Sequence, residues 1–109
     1  MEAQTPQEFF EEILPTRFKP EKAVGVDVTA QLDIVGSEGG SWFITVKDQK
    51  MQVLKGTHES PNLTLKMNAN DFLDMVNGKI SAERAFFAGK VQFKGNIAIA
   101  LKLRDAGFL

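Results

Sequence analysis

A chain of 109 residues in which 43% are apolar, 25% are charged and none is cysteine has the make-up of one globular domain, with no disulfide framework, cysteine-ligated zinc or thiol nucleophile open to it. A net charge of −1 and a pI near 5.8 set it apart from domains that bind nucleic acid through an overall basic excess. Nine phenylalanines and one tryptophan stand beside no tyrosine, so almost all of the aromatic surface lacks a polar handle and suits dry surroundings.

Met1-Glu2-Ala3-Gln4 is neither basic nor apolar enough for a signal peptide, and no run approaches the roughly 18 apolar residues of a membrane span. Thr5-Pro6-Gln7-Glu8 predicts a helix start, with a capping box and proline at the first helical position. Phe9, Phe10, Ile13 and Leu14 then recur on one face, and Pro15 predicts the stop. A short helical turn is expected from Pro20 through Val24, broken by Gly25.

From Val26 the period changes to two. Val28, Ala30, Leu32 and Ile34 alternate with Asp27, Thr29, Gln31 and Asp33, which predicts a strand with one wet face. Gly36-Ser37-Glu38-Gly39-Gly40 turns the chain into a second strand that sets Trp42, Ile44 and Val46 against Phe43, Thr45 and Lys47. After Asp48-Gln49, Met51 and Val53 continue the meander in a third strand. The polar stretch from Gly56 to Asn62 is too long for a tight hairpin and predicts a crossing loop into a fourth strand bearing Leu63, Leu65 and Met67.

Asn68 with Asp71 caps a helix that carries Phe72, Leu73, Met75 and Val76 and closes at Asn77-Gly78. Ser81 caps another, with Ala82, Ala85, Phe86 and Phe87, up to Gly89. Val91 and Phe93 mark a fifth strand, and Ile97 to Leu103 reads as a C-terminal helix, although its isoleucines would also suit a strand. Residues 1–109 thus predict a single α+β domain whose sheet has one face in water and the other covered by helices. The final helix is apolar all round from Ile97 to Leu101, so more than one of its sides is expected to be dry, against another protein or an apolar ligand.

The catalytic inventory is thin. His58, the only histidine, lies in a polar loop beside Glu59 and Ser60, and adjacency alone builds no oriented nucleophile and base. Asp27, Asp33, Asp71 and Asp74 fall on wet faces by their period, and no second histidine completes a metal site. No enzyme activity, metal or cofactor is expected. Charge is uneven, with eight acidic and three basic residues up to Glu38 and six acidic and ten basic beyond it. Lys79, Arg84, Lys90, Lys94, Lys102 and Arg104 face a single acid, Glu83, over their stretch. Solubilising lysines around a buried face explain this, and so does a basic rim around an apolar opening, suited to a carboxylate, a phosphate or an anionic membrane surface.

Gly40-Ser41-Trp42-Phe43-Ile44-Thr45-Val46-Lys47-Asp48, Pro61-Asn62-Leu63-Thr64-Leu65, Asp71-Phe72-Leu73 with Asn77-Gly78-Lys79, and the run from Ala85 through Asn96 together resemble the sterol carrier protein 2 family, in order, over about Val28 to Leu103. The resemblance implies a five-stranded, mostly antiparallel sheet with helices on one face and an apolar tunnel between the layers. It implies binding or transfer of sterols, fatty acids, fatty acyl-CoAs or isoprenoid-like lipids without covalent chemistry. An accessory or dimerisation module, for instance one assisting isoprenoid quinone or lipid metabolism enzymes, is the alternative. Matched by position, Trp42 and Ile44 would form the floor of the tunnel, Phe72, Met75, Val76, Phe86 and Phe87 its helical wall, and Ile97 and Leu101 one end. Lys79, Lys90, Lys94, Lys102 and Arg104 would meet an anionic membrane. Gln49 stands where the family usually has a turn glycine, which leaves the tightness of that hairpin open. The chain ends Gly107-Phe108-Leu109, without the peroxisomal tripeptide common in eukaryotic members, so a bacterial or archaeal cytoplasmic member is expected.

Overall fold

The computed structural model describes residues 2–108, with Phe108 described by its backbone alone. The readings that touch Met1 and Leu109, at the two chain ends, lie outside the described residues. Five strands, β1 (Val28–Val35), β2 (Gly40–Lys47), β3 (Lys50–Lys55), β4 (Leu63–Asn68) and β5 (Val91–Gly95), form one sheet in the order β3-β2-β1-β4-β5. Neighbours are antiparallel except β1 and β4, which run parallel because the loop after β3 crosses the sheet before β4 begins.

The register aligns the inward side chains in rows. One row runs Val53, Ile44, Ala30, Leu63, Gly95, and the next runs Lys55, Trp42, Leu32, Leu65, Phe93. The first row is shallow at its centre and at one end, because alanine and glycine stand where branched side chains would otherwise fill the floor. Gly95 cannot be enlarged: at φ 126°, a Cβ there would lie 2.7 Å from the Asn62 carbonyl oxygen and 2.8 Å from Leu63 Cα.

One expectation for the sheet is corrected. Gln31 lies on the face read as wet, yet it is only 2% exposed. The crossing loop covers it: its Nε2 donates to the Gly56 carbonyl at 3.1 Å and to Asp33 at 3.0 Å, and its Oε1 accepts from the His58 backbone N–H at 2.8 Å. The His58 ring meets Phe43 edge to face at 5.3 Å on that same outer face. The tightness of the β2–β3 hairpin, left open by the sequence, is settled by its backbone: the turn is tight despite lacking a glycine. Asp48 and Gln49 both adopt left-handed backbone, at φ 54° and 61°, and Gln49 Nε2 donates to the Pro20 carbonyl at 3.1 Å.

The N-terminal helix also departs from expectation. It starts as α1 (Pro6–Glu8), with the Thr5 hydroxyl accepting from Glu8 N–H at 3.1 Å, continues as a π-helical stretch, Phe9–Ile13, and returns to α-helix in α2 (Leu14–Arg17). Pro15 therefore does not end it. The Leu14 N–H reaches back to the Phe9 carbonyl, and Pro15 falls in the first turn of α2, where a missing N–H is tolerated. The wider turn leaves the adjacent Phe9 and Phe10 both buried, together with Ile13 and Leu14. A 3-10 turn, Pro20–Lys22, leads into the sheet.

Three capped helices complete the covering layer. Asn68 accepts from Asn70 N–H at 2.7 Å at the start of α3 (Ala69–Val76), and Ser81 from Arg84 N–H at 3.1 Å at the start of α4 (Ala82–Phe87). Asn96 accepts from Ala98 N–H at 2.8 Å at the start of α5 (Ile97–Leu103). Two ties hold the N-terminal segment to α3: Ala3 and Asn77 exchange hydrogen bonds of 2.7 and 3.0 Å, and Arg17 donates to the Val76 carbonyl at 2.9 Å. Layer meets layer through rings. Phe10 stacks on Trp42 at 4.7 Å and on Phe72 at 5.2 Å, with Phe9 edge-on to Phe10 and Phe72 at 5.5 Å each. Truncation of the ring shared by sheet and helices, Phe10→Ala, is expected to cost about 3–5 kcal/mol in urea unfolding, whereas a cost below about 1 kcal/mol would show that the stack does not carry the core.

Candidate functional site

Between the sheet and its helices lies a cavity of about 360 Å³. Its floor is Ala30, Leu32, Ile44, Leu63, Leu65, Val91 and Phe93, and its inner end is closed by Phe9, Phe10, Phe72 and Met75. Ala82, Phe86 and Phe87 on α4, with Ile97, Ala100 and Leu101 on α5, surround the mouth. The shallow row centred on Ala30, with the small side chains of Ala82 and Ala100 in the lining, explains why the space is left open. Every other position around it carries a bulky apolar group, apart from one ion pair.

That ion pair is Glu83 with Arg104, the only charged side chains of the lining, and Arg104 also lies 3.5 Å from Asp105. Among the described residues no histidine, serine, threonine or aspartate lines the cavity, and no group of three or more His, Cys, Asp or Glu could hold a metal ion. Apart from that ion pair the walls offer dispersion and water exclusion, surroundings that suit an apolar guest. His58 lies across the sheet from it, with Nδ1 accepting from Ser60 N–H at 3.0 Å.

Seven of the residues singled out from the sequence, Ile44, Phe72, Met75, Phe86, Phe87, Ile97 and Leu101, come together in the lining. Trp42 and Val76 do not. Trp42 is 1% exposed and sits beneath Phe10, flanked at 5.8 Å by the Lys55 ammonium group, and Val76 is buried beside the N-terminal helix. Phe9, Phe10, Ala30, Leu32, Leu65 and Phe93 were not singled out, although alternation already set the four strand residues on the inner face.

The mouth is open. Phe87 is 85% exposed and Ile97 54%, and Phe86 and Leu101 are also exposed, so the chain itself covers only part of the apolar surface of α5. Lys79, Arg84, Lys90, Lys94 and Lys102 are exposed and Arg104 is half-buried. Lys90 pairs with Asp71 at 3.3 Å. No helix among the described residues is long and apolar enough to cross a membrane.

The mixed five-stranded sheet, with helices on one face and an open-mouthed apolar space between the layers, is an α+β fold, and residues 10–106 match the model of the SCP-2 sterol transfer family. The chain belongs to that family. It is 36% identical over 74 residues to hydroxysteroid dehydrogenase-like protein 2 of Mus musculus, a match that covers 67% of this chain and 15% of that protein. Among solved structures it is similar to the stereoselective inverting sec-alkylsulfatase Pisa1 from Pseudomonas sp., at TM-score 0.82 and 21% identity over 96% of this chain and 16% of that one. It is also similar to palmitated SCP2L2 from Aedes aegypti, at TM-score 0.60 and 24% identity over 87% of this chain and 91% of that one. The chain thus spans a small part of the length of the curated relatives it matches.

Because Trp42 is walled off from the cavity by Phe10, its fluorescence is expected to be blue-shifted and to move little when the cavity is filled. Strong quenching by a brominated acyl chain at saturating binding would place the ligand against Trp42 and contradict this geometry.

Proposed function

We propose that the cavity holds the hydrocarbon part of a lipid and releases it unchanged. The observation that carries this reading is a carbon-lined space of about 360 Å³, opening between α4 and α5, in a member of the SCP-2 sterol transfer family. Its size is near the lower end of ligand pockets, which favours a slender acyl or isoprenoid chain, as in a fatty acid or acyl-CoA, over the fused rings of a sterol. Burial supplies the affinity: at about 0.8 kcal/mol per CH₂, ten carbons offer roughly 8 kcal/mol before ordering costs.

The same reading accounts for the mouth. Phe86, Phe87, Ile97 and Leu101 form an exposed apolar rim with Arg84 on the same helix and Lys94 and Lys102 close by in sequence, a combination suited to brief contact with an anionic membrane from which a lipid is taken. Lys79, Lys94 and Lys102 have no ion-pair partner among the described residues, whereas Lys90 and Arg104 are engaged by carboxylates. A second reading, in which the domain is an accessory or dimerisation module beside an enzyme, is favoured by the relatives' lengths, since the matched region is 15% of one and 16% of another.

Fatty acid or acyl-CoA is expected to raise the melting temperature, and Ala100→Phe, which fills the lining, to weaken binding at least tenfold while the far-UV circular dichroism is kept. A melting temperature that stays flat across fatty acid, acyl-CoA, sterol and isoprenoid would remove the lipid reading. Phe87→Ser is expected to reduce co-sedimentation with vesicles containing phosphatidylglycerol; undiminished co-sedimentation would move the membrane contact elsewhere.

A further inference from the structure

We propose that a basic cleft beside the cavity receives a phosphate group at the head of the bound lipid, so that the site prefers a phosphate-headed single-chain amphiphile to a carboxylate or a neutral one. This rests on the lipid reading and deepens it. The cleft is lined by Lys19, Lys22, Lys102, Arg104 and Asp105, with Val24 and Val26. Four cations thus face one carboxylate, in a space quite unlike the carbon-lined cavity next to it.

The fold, and not chain proximity, brings these cations together. Lys19 and Lys22 follow the N-terminal helix, whereas Lys102 and Arg104 lie at the end of α5. The two segments are clamped by the Lys19 N–H donating to the Ala106 carbonyl at 2.8 Å, and by Gly107, where any Cβ would run into the Arg17 carbonyl. Lys19, Lys22 and Lys102 form no ion pair among the described residues. Asp105, the one carboxylate of the cleft, is already engaged by Arg104, so the three lysines repel one another and a bound anion relieves that repulsion.

Arg104 connects the two spaces, since it lines both. Its guanidinium is shared between Glu83, on the cavity side, and Asp105, on the cleft side. A lipid whose chain fills the cavity and whose head passes Arg104 would exchange one of these carboxylates for a bidentate contact with its own oxygens. Arg104 alone would meet a single carboxylate. Three further lysines match the charge of a phosphate monoester, about −1.5 to −2 at neutral pH, even with Asp105 opposing it.

The test compares dodecyl phosphate, dodecanoate, dodecanol and inorganic phosphate on the full chain by calorimetry, below micellar concentrations and at two salt concentrations. Dodecyl phosphate is expected to bind at least tenfold more tightly than dodecanol and more tightly than dodecanoate, with an advantage that shrinks as salt rises. In K22E/K102E, and in the milder K22Q/K102Q should the first fold poorly, the ratio of phosphate to alcohol affinity is expected to fall towards one. Parity of dodecyl phosphate with dodecanoate or dodecanol, a ratio retained in both variants, or inorganic phosphate binding as tightly as the lipid would overturn the proposal. Failure of all three lipids to bind would overturn the lipid reading together with it, whereas parity among them overturns this proposal alone.

Discussion

Three rings run through the molecule from sheet to helix: Trp42 on β2, Phe10 on the N-terminal helix and Phe72 on α3, stacked at 4.7 and 5.2 Å with Phe9 edge-on at 5.5 Å. Flat rings packed face to face do not compress, so this column sets how far the helices stand from the sheet. The adjacency of Phe9 and Phe10 within it depends on the π-helical turn, since both must be buried although they are consecutive. The Ala3–Asn77 and Arg17–Val76 hydrogen bonds lock the same helix to α3 from the other side.

The cavity is the consequence of that spacing. Beside the column the floor drops at Ala30, and Ala82 and Ala100 face it from above, so the gap that the rings prop open is not filled by side chains. A rigid dry void of about 360 Å³ would cost roughly 9 kcal/mol at about 24 cal/mol per Å³, as much as the whole stability of many domains. The open mouth relieves part of this, because α4 and α5 are short and exposed on much of their apolar surface, the properties of segments that open locally at low cost. Stability thus concentrates at the aromatic end and freedom at the mouth, which suits the proposed entry and release of a chain.

Most of the architecture was legible because period and caps are local signals. The alternation around Ala30, Leu32 and Leu65, the Asn68 and Ser81 caps, and the long Gly56–Asn62 loop each point to the element that forms there. Misreadings arose where a long-range partner decides. Gln31 looks wet by alternation, but the crossing loop, coming from the far edge of the sheet, buries it. Pro15 looks like a stop until the π turn shifts the hydrogen-bond register ahead of it. Trp42 is inward-facing by its period, as is Ile44, yet only the position of Phe10 decides that one is walled off and the other reaches the cavity. The cleft uniting Lys19 and Lys22 with Lys102 and Arg104 was illegible for the same reason, since those residues come from opposite ends of the chain.

The central claim is that the space between the column and the mouth is where hydrocarbon binds. The most direct measurement is isotope-filtered NMR, reading contacts between protein protons and a carbon-13-labelled palmitate chain. The account predicts contacts from the chain to the Ile44, Leu65 and Met75 methyl groups and to the ring of Phe93, with none to the Trp42 indole or to Val76. Contacts confined to the outer face, at Phe43 and Leu54, or reaching Trp42 and missing Ile44, would contradict it.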